Sequence, residues 1–185
     1  MAQLLGPVDL HLIGEGRHLR LWDILGAHVH AVDGVDGVAF AVWAPNARAV
    51  RVVGDWNRWD GRVDPLQPQG VSGVWAGFVP GVAVGTRYKF EIIGADGSLR
   101  LRADPMARRA EVPPSNASIV TESTHDWNDG DWLTARAAAD PVRRPLRVYE
   151  VHLGSWRPGL GYREPAKGCS ATGSSSMCVN PRSST

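Results

Sequence analysis

Two tryptophans three residues apart, Trp56 and Trp59, stand in the polar stretch Gly54-Asp-Trp-Asn-Arg-Trp-Asp-Gly61. A flat indole offers an apolar face that matches the C–H surface of a sugar ring, and its N–H can bond a hydroxyl. Across a polar turn, a spacing of three favours one exposed ring and one ring packed inward as an anchor. Asn57 lies between the two rings, and Lys89 sits on the outward side of the alternating run Arg87–Ile93. Trp59, Trp56, Asn57 and Lys89 are therefore the candidate binding residues, although an outward lysine is ordinarily just solvated.

Other chemically suggestive groups carry less. His28-Val-His30 can place two imidazoles on one strand face, but no third ligand follows at a recognisable spacing. Ser155 near His152 lacks the pattern of a nucleophile elbow. Cys169 and Cys178 lie in a serine-rich tail with no histidine cluster, which predicts exposed thiols rather than a zinc or redox site. No metal and no cofactor are expected. Trp22, Trp43, Trp75, Trp127 and Trp132 each have apolar neighbours and are expected to pack in the core or against a linker.

The elements that must position these residues are short strands. Val38, Phe40 and Val42 alternate along one face and end at the turn Ala44-Pro45-Asn46; Val50 and Val52 do the same in Ala49–Gly54. Val74–Val79 and Arg87–Ile93 follow, the latter with Tyr88, Phe90 and Ile92 inward and Arg87, Lys89 and Glu91 outward. Ala95-Asp-Gly-Ser98 supplies a hairpin turn into Ser98–Ala103, and Ala117–Thr121 completes the set. The proline-containing stretch 104–114 is excluded from a central strand. Leu19, Leu21, Trp22 and Leu25 fit a short helix or an approach to the sandwich, and Asp131–Ala139 reads as a helix ended by Asp140-Pro141.

Composition narrows the classes. The chain has 185 residues with 21 glycines and 13 prolines, which favours strands and turns over long helices. Its 20 basic and 19 acidic residues nearly cancel and are scattered, so no continuous positive surface exists for nucleic acid. The absence of a long apolar run or a signal-like start predicts a cytoplasmic protein without a membrane partner.

Read in order, Gly54-Asp-Trp-Asn-Arg-Trp-Asp-Gly61, Gly85-Thr-Arg-Tyr-Lys-Phe-Glu-Ile92, Ala103-Asp-Pro-Met106 and Val148-Tyr-Glu-Val-His-Leu-Gly-Ser-Trp156 resemble bacterial, particularly actinobacterial, glycogen branching enzymes of the α-amylase superfamily. The resemblance covers roughly residues 8–163. It implies an all-β fold: an immunoglobulin-like β-sandwich over 33–122 after a lead-in segment 1–32. A linker with a short helix then spans 123–145, and the first strand of a truncated (β/α)₈ barrel lies in 146–163. Glu150 and His152 would be orphaned polar groups of that strand. Residues 164–185 depart from the family and read as a disordered tail of the kind a reading-frame change produces.

By the same resemblance the partners are α-1,4-glucan or glycogen and the missing catalytic barrel, with Trp59 as the stacking platform and Lys89 as a hydroxyl-bonding lysine. Leu99 stands where related modules carry a second tryptophan, which removes one stacking surface. The implied role is the non-catalytic N-terminal portion of a branching enzyme, because retaining glycosyl transfer needs a pair of carboxyls held by the barrel. Two alternatives remain at this level: a stand-alone glucan-binding module, and a structural domain with no glycan affinity.

Overall fold

A computed structural model describes residues 5–140 and Ser155. The chain divides into two compact units, residues 1–125 and 126–185. The expected barrel strand at 146–153, with Glu150 and His152, lies outside the described residues, as do the tail 164–185 and both cysteines.

In the first unit eight strands form two antiparallel sheets. β1 (Gly26–Val32), β2 (Val35–Trp43), β5 (Val74–Pro80) and β4 (Gln67–Pro68) make one sheet in that order. β3 (Ala47–Gly54), β6 (Arg87–Gly94) and β7 (Leu99–Arg102) make the other, with β8 (Ser118–Ile119) also paired to β6. Alternation dictates what lies between them. Val38, Phe40 and Val42 from β2 meet Val50, Val52, Tyr88 and Phe90 from β3 and β6 in one buried cluster. Phe40 packs edge-on against Tyr88, and Tyr88 against Phe90, with ring centroids 5.1 and 5.9 Å apart. The result is a β-sandwich, as the alternation predicts, of the immunoglobulin-like kind that the resemblance implies.

Two differences from the sequence reading concern the segment before residue 33. The short helix expected around Leu19–Leu25 is only a 3-10 turn at Leu21–Asp23. A helix stands earlier instead: α1 (Pro7–Gly14) opens with proline, its Asp9 carboxylate accepts the Gly6 N–H at 2.9 Å, and Gly16 at φ 68 closes it. Gly16 N–H donates to Ile13 and Arg17 N–H to Leu12, which satisfies the last carbonyls. Residues 26–32 are not an approach to the sandwich but its edge strand, joined to β2 by the two-residue turn Asp33-Gly34, both at positive φ. Leu5, Ile24 and Leu25 bury against Ala41 and Val74, so the lead-in covers the outer face of the first sheet.

A polar knot ties the second sheet to the segment after β7. Tyr88 donates to Asp104 at 2.5 Å, Asp104 N–H donates to Ser118 Oγ, and Met106 N–H donates to the other Asp104 oxygen. Burial pushes both acids up, Asp104 against the opposing hydrogen bonds from Tyr88 and the Met106 N–H, and Tyr88 beside the carboxylate.

The tryptophans expected in the core or against a linker differ in placement. Trp75 is partly buried on the core with its N–H on the Ala44 carbonyl, but Trp22 and Trp43 are exposed. In the second unit, helix α2 (Gly130–Ala137) buries none of its residues, and Trp127 and Trp132 are exposed. Apolar neighbours in sequence do not decide which face of an element a ring occupies. No described helix is long and apolar enough to cross a membrane.

Candidate functional site

The site is built from the loop that leaves β3. Gly54 is extended, and a Cβ there would lie 2.1 Å from the Trp56 ring and 2.4 Å from the Arg87 carbonyl, so only glycine lets the chain double back. Trp56 then folds under the loop. Its ring stacks on Phe40 at 5.7 Å, and its N–H donates to Asp64 at 2.8 Å. Asn57 is buried, accepting from Gly54 N–H at 2.9 Å and donating to the Val52 carbonyl at 3.0 Å and to Asp64 at 2.7 Å. Trp56 and Asn57, both expected at the ligand face, are spent inside the loop, because its buried polar groups must be paired.

Past them the chain turns through Arg58 (φ 54) and Trp59 (φ 63), two consecutive left-handed residues with side chains. Such a conformation costs roughly 1–2 kcal/mol per residue, and the loop holds it with backbone bonds. Trp59 N–H donates to Gly54 and Asp60 N–H to Asn57, each at 3.0 Å. Trp59 stays 38 % exposed. Arg62 grips Asp60 through its guanidinium at 2.7–3.2 Å, which holds that carboxyl down to about 2.

A charged relay borders the same loop. Arg87 donates to both oxygens of Asp55 at 3.0 Å and, at 3.3 Å, to Glu111. The Arg87 hydrogen bonds hold Asp55 below the usual carboxylate range, with a smaller contribution from the Trp59 side chain. Nothing in the residue types of Asp55, Arg87 and Glu111 announced this arrangement, because it depends on the register that sets Gly54 opposite Tyr88.

Lys89 is half-buried on β6 directly opposite Val53, so the two side chains emerge on one face. Its ammonium donates to the Asn116 Oδ1. Glu91, expected outward and solvated, is instead nearly buried. Gly61 lies so close that a Cβ there would sit 2.2 Å from the Glu91 carboxylate, and Arg51 pairs with it at 2.7 Å. Leu99 begins β7 opposite Ile93 and is 56 % exposed. Near the other sheet, His28 Nε2 bonds the Leu25 carbonyl at 3.0 Å, and no metal-competent group of three ligands occurs among the described residues.

The loop thus leaves one indole, Trp59, at its surface with the charged residues Asp55, Asp60, Arg62 and Arg87 around the turn. Residues 24–107 match the family model of carbohydrate-binding module 48, the isoamylase N-terminal domain. The match starts at Ile24, so it takes in β1, and it contains the Trp59 loop and Lys89. The chain is similar to the 1,4-alpha-glucan branching enzyme GlgB of Rhodococcus jostii, 58 % identical over 167 residues, covering 88 % of this chain and 23 % of that protein. The namesake of Nocardia farcinica is 56 % identical over 167 residues, covering 88 % and 22 %. Among solved structures, a Salmonella typhimurium protein assigned as an alpha amylase superimposes with a TM-score of 0.48 and 25 % identity, over 72 % of this chain and 20 % of that one. The chain therefore spans less than a quarter of the length of the curated relatives it matches.

Proposed function

We propose that this chain is the non-catalytic N-terminal portion of a cytoplasmic 1,4-α-glucan branching enzyme, and that its module 48 domain holds the α-1,4-glucan on the Trp59 indole with Lys89 beside it. The similarity to branching enzymes supports the first part. The observation that carries the second is the contrast within one loop: Trp56 and Asn57 are consumed as anchors, while Trp59 is kept exposed at the expense of two left-handed residues. Backbone strain of this kind persists where the surrounding contacts over-determine it, and it clusters at ligand sites. The Asn116 contact keeps the Lys89 ammonium in place to donate a further bond to a sugar hydroxyl.

Co-sedimentation with glycogen and affinity electrophoresis in amylose test this reading. Trp59→Ala is expected to weaken retention about tenfold, a loss of ~1.4 kcal/mol, and Lys89→Ala to weaken it less. The intact chain is expected to leave the iodine complex of amylose unchanged. Undiminished retention by Trp59→Ala would remove the platform from the account.

A further inference from the structure

Arg87 opens β6 and Lys89 follows it by two, so the pleat sends both side chains to the outer face of the second sheet. Lys89 holds Asn116, whereas Arg87 turns to two carboxylates from different parts of the chain. The Arg87 backbone N–H donates to Asp55 Oδ2 at 3.1 Å, and the guanidinium takes both Asp55 oxygens. Asp55 follows Gly54, whose carbonyl accepts the Trp59 backbone N–H, so this fork grips the root of the turn that presents the indole.

The other branch reaches Glu111. One Glu111 oxygen accepts Arg87 Nη1 at 3.3 Å, and the second accepts the Ala117 N–H at 3.0 Å. The Glu111 N–H donates in turn to the Ala117 carbonyl at 2.9 Å. Glu111 thereby closes the loop 112–116 at its base, and Asn116, the last residue of that loop, accepts the Lys89 ammonium. A single guanidinium stands between the turn that carries Trp59 and the loop that aims Lys89.

Folding stability alone does not account for this arrangement. The Arg87 side chain is 51 % exposed, and exposed ion pairs contribute little to stability. What a fork supplies is direction: a planar guanidinium bonded to a carboxylate through two N–H groups fixes both partners in angle as well as distance. Lysine would match the charge but not this geometry.

We propose that Arg87 is a positioning residue for glucan capture: it sets the Trp59 turn and the Lys89–Asn116 pair at one spacing, so that one α-1,4-glucan chain meets indole and ammonium together. The proposal rests on the reading of Trp59 and Lys89 as the glucan-holding residues. Arg87 touches no sugar itself and acts through Asp55 on one side and Glu111 on the other. Once a chain lies on one of two groups held at a fixed spacing, the second contact forms with little further ordering.

Two measurements on the 185-residue chain test this. The first needs no ligand. In proton–nitrogen correlation spectra, Asp55→Asn is expected to shift the Asn116 side-chain amide, and Glu111→Gln to shift the Trp59 indole N–H. Both effects should vanish once Arg87→Met is added. Shifts that survive without the guanidinium would overturn the proposal, as would their absence when Arg87 is present. The second measurement is titration with maltoheptaose. Arg87→Met should weaken binding about threefold with the urea midpoint nearly unchanged, and Asp55→Asn and Glu111→Gln should each reproduce part of that loss. Arg87→Lys should not restore it. Binding equal to the parent in Arg87→Met overturns the proposal. So does a loss confined to Arg87→Met, which would make the guanidinium a direct sugar contact, or full rescue by Arg87→Lys, which would reduce its role to charge. Should Arg87→Met fail to fold, the affinities of Asp55→Asn and Glu111→Gln decide: losses in both support the proposal, and parent-like binding in either overturns it. Trp59→Ala and Lys89→Ala check the underlying reading. If both bind maltoheptaose like the parent, the glucan reading itself has failed, whereas losses in these two without one in Arg87→Met mean that only the positioning has failed.

Discussion

Tyr88 places its phenolic oxygen 2.5 Å from Asp104 Oδ2, so that a core residue of β6 carries the buried carboxylate that organises the chain after β7. The pair has a sign in pH. Because burial raises the folded value of Asp104, the folded chain keeps this proton to higher pH than the unfolded chain does. Its contribution is fully present below the unfolded value and is lost as pH rises through the folded one. Asp55 and Asp60 run the other way: Arg87 and Arg62 hold them low, and their contributions disappear as pH falls through their folded values. Asp104→Asn should therefore flatten the decline in stability from the ordinary carboxylate range towards neutrality, seen in urea unfolding at stepped pH. Tyr88→Phe leaves the carboxylate short of a donor and should cost about 1–3 kcal/mol.

Gly54→Ala should be among the most damaging single-methyl changes in the module. The added carbon meets a backbone carbonyl, that of Arg87, as well as the Trp56 ring, and a carbonyl in a paired strand has little room to yield. A loss of about 1–3 kcal/mol is expected from overpacking, read from the urea midpoint. A midpoint within error of the parent would mean that the loop can leave β3 another way.

Asn57→Ala separates holding the loop from touching the ligand. It removes three hydrogen bonds inside the loop and should cost ~1–3 kcal/mol. Glycogen retention should fall with it, although the buried amide has no access to glucan. Asn57→Asp keeps the acceptor for Gly54 N–H but sets a carboxylate against Asp64, so it should not rescue. Retention unchanged in Asn57→Ala would detach the platform from its anchor.

Arg58→Gly goes in the opposite direction. The left-handed conformation is free for glycine, so stability should rise by up to ~1 kcal/mol, partly offset by the greater entropy of the unfolded chain. Differential scanning calorimetry reads the change, and a lowered melting temperature would contradict the assigned strain.

What was legible in the residues was whatever depends on local period. The alternations in β2, β3, β5 and β6 place Phe40, Val52 and Phe90 correctly, because a pleat fixes side-chain direction. Other local signals were present but outweighed. Asp33-Gly34 is a strong hairpin pair, yet β1 interleaves His28 and His30 with alanine and valine and lacks a plain apolar stripe. Pro7 and Gly16 punctuate α1 in the same overlooked way. Glu91 and Asn57 could not be read, since their burial comes from a loop returning over the sheet from residues with no periodicity. Trp43, by contrast, was placed by the same alternation, since it follows the inward Val42 and so falls on the outer face of β2.

The consecutive left-handed turn at Arg58 and Trp59 bears on rates. A backbone already held in this conformation does not have to be ordered by a ligand, so on the proposed reading the entropic toll of capture falls mainly on the glucan and on the indole's own rotamer. Encounter should then be fast and nearly insensitive to changes in the loop's rim, with affinity governed by how long a glucan segment stays on the indole. A glycogen particle carries many chain ends. For it, brief residence at each end and rapid recapture at the next would let the module travel across the particle surface without leaving it.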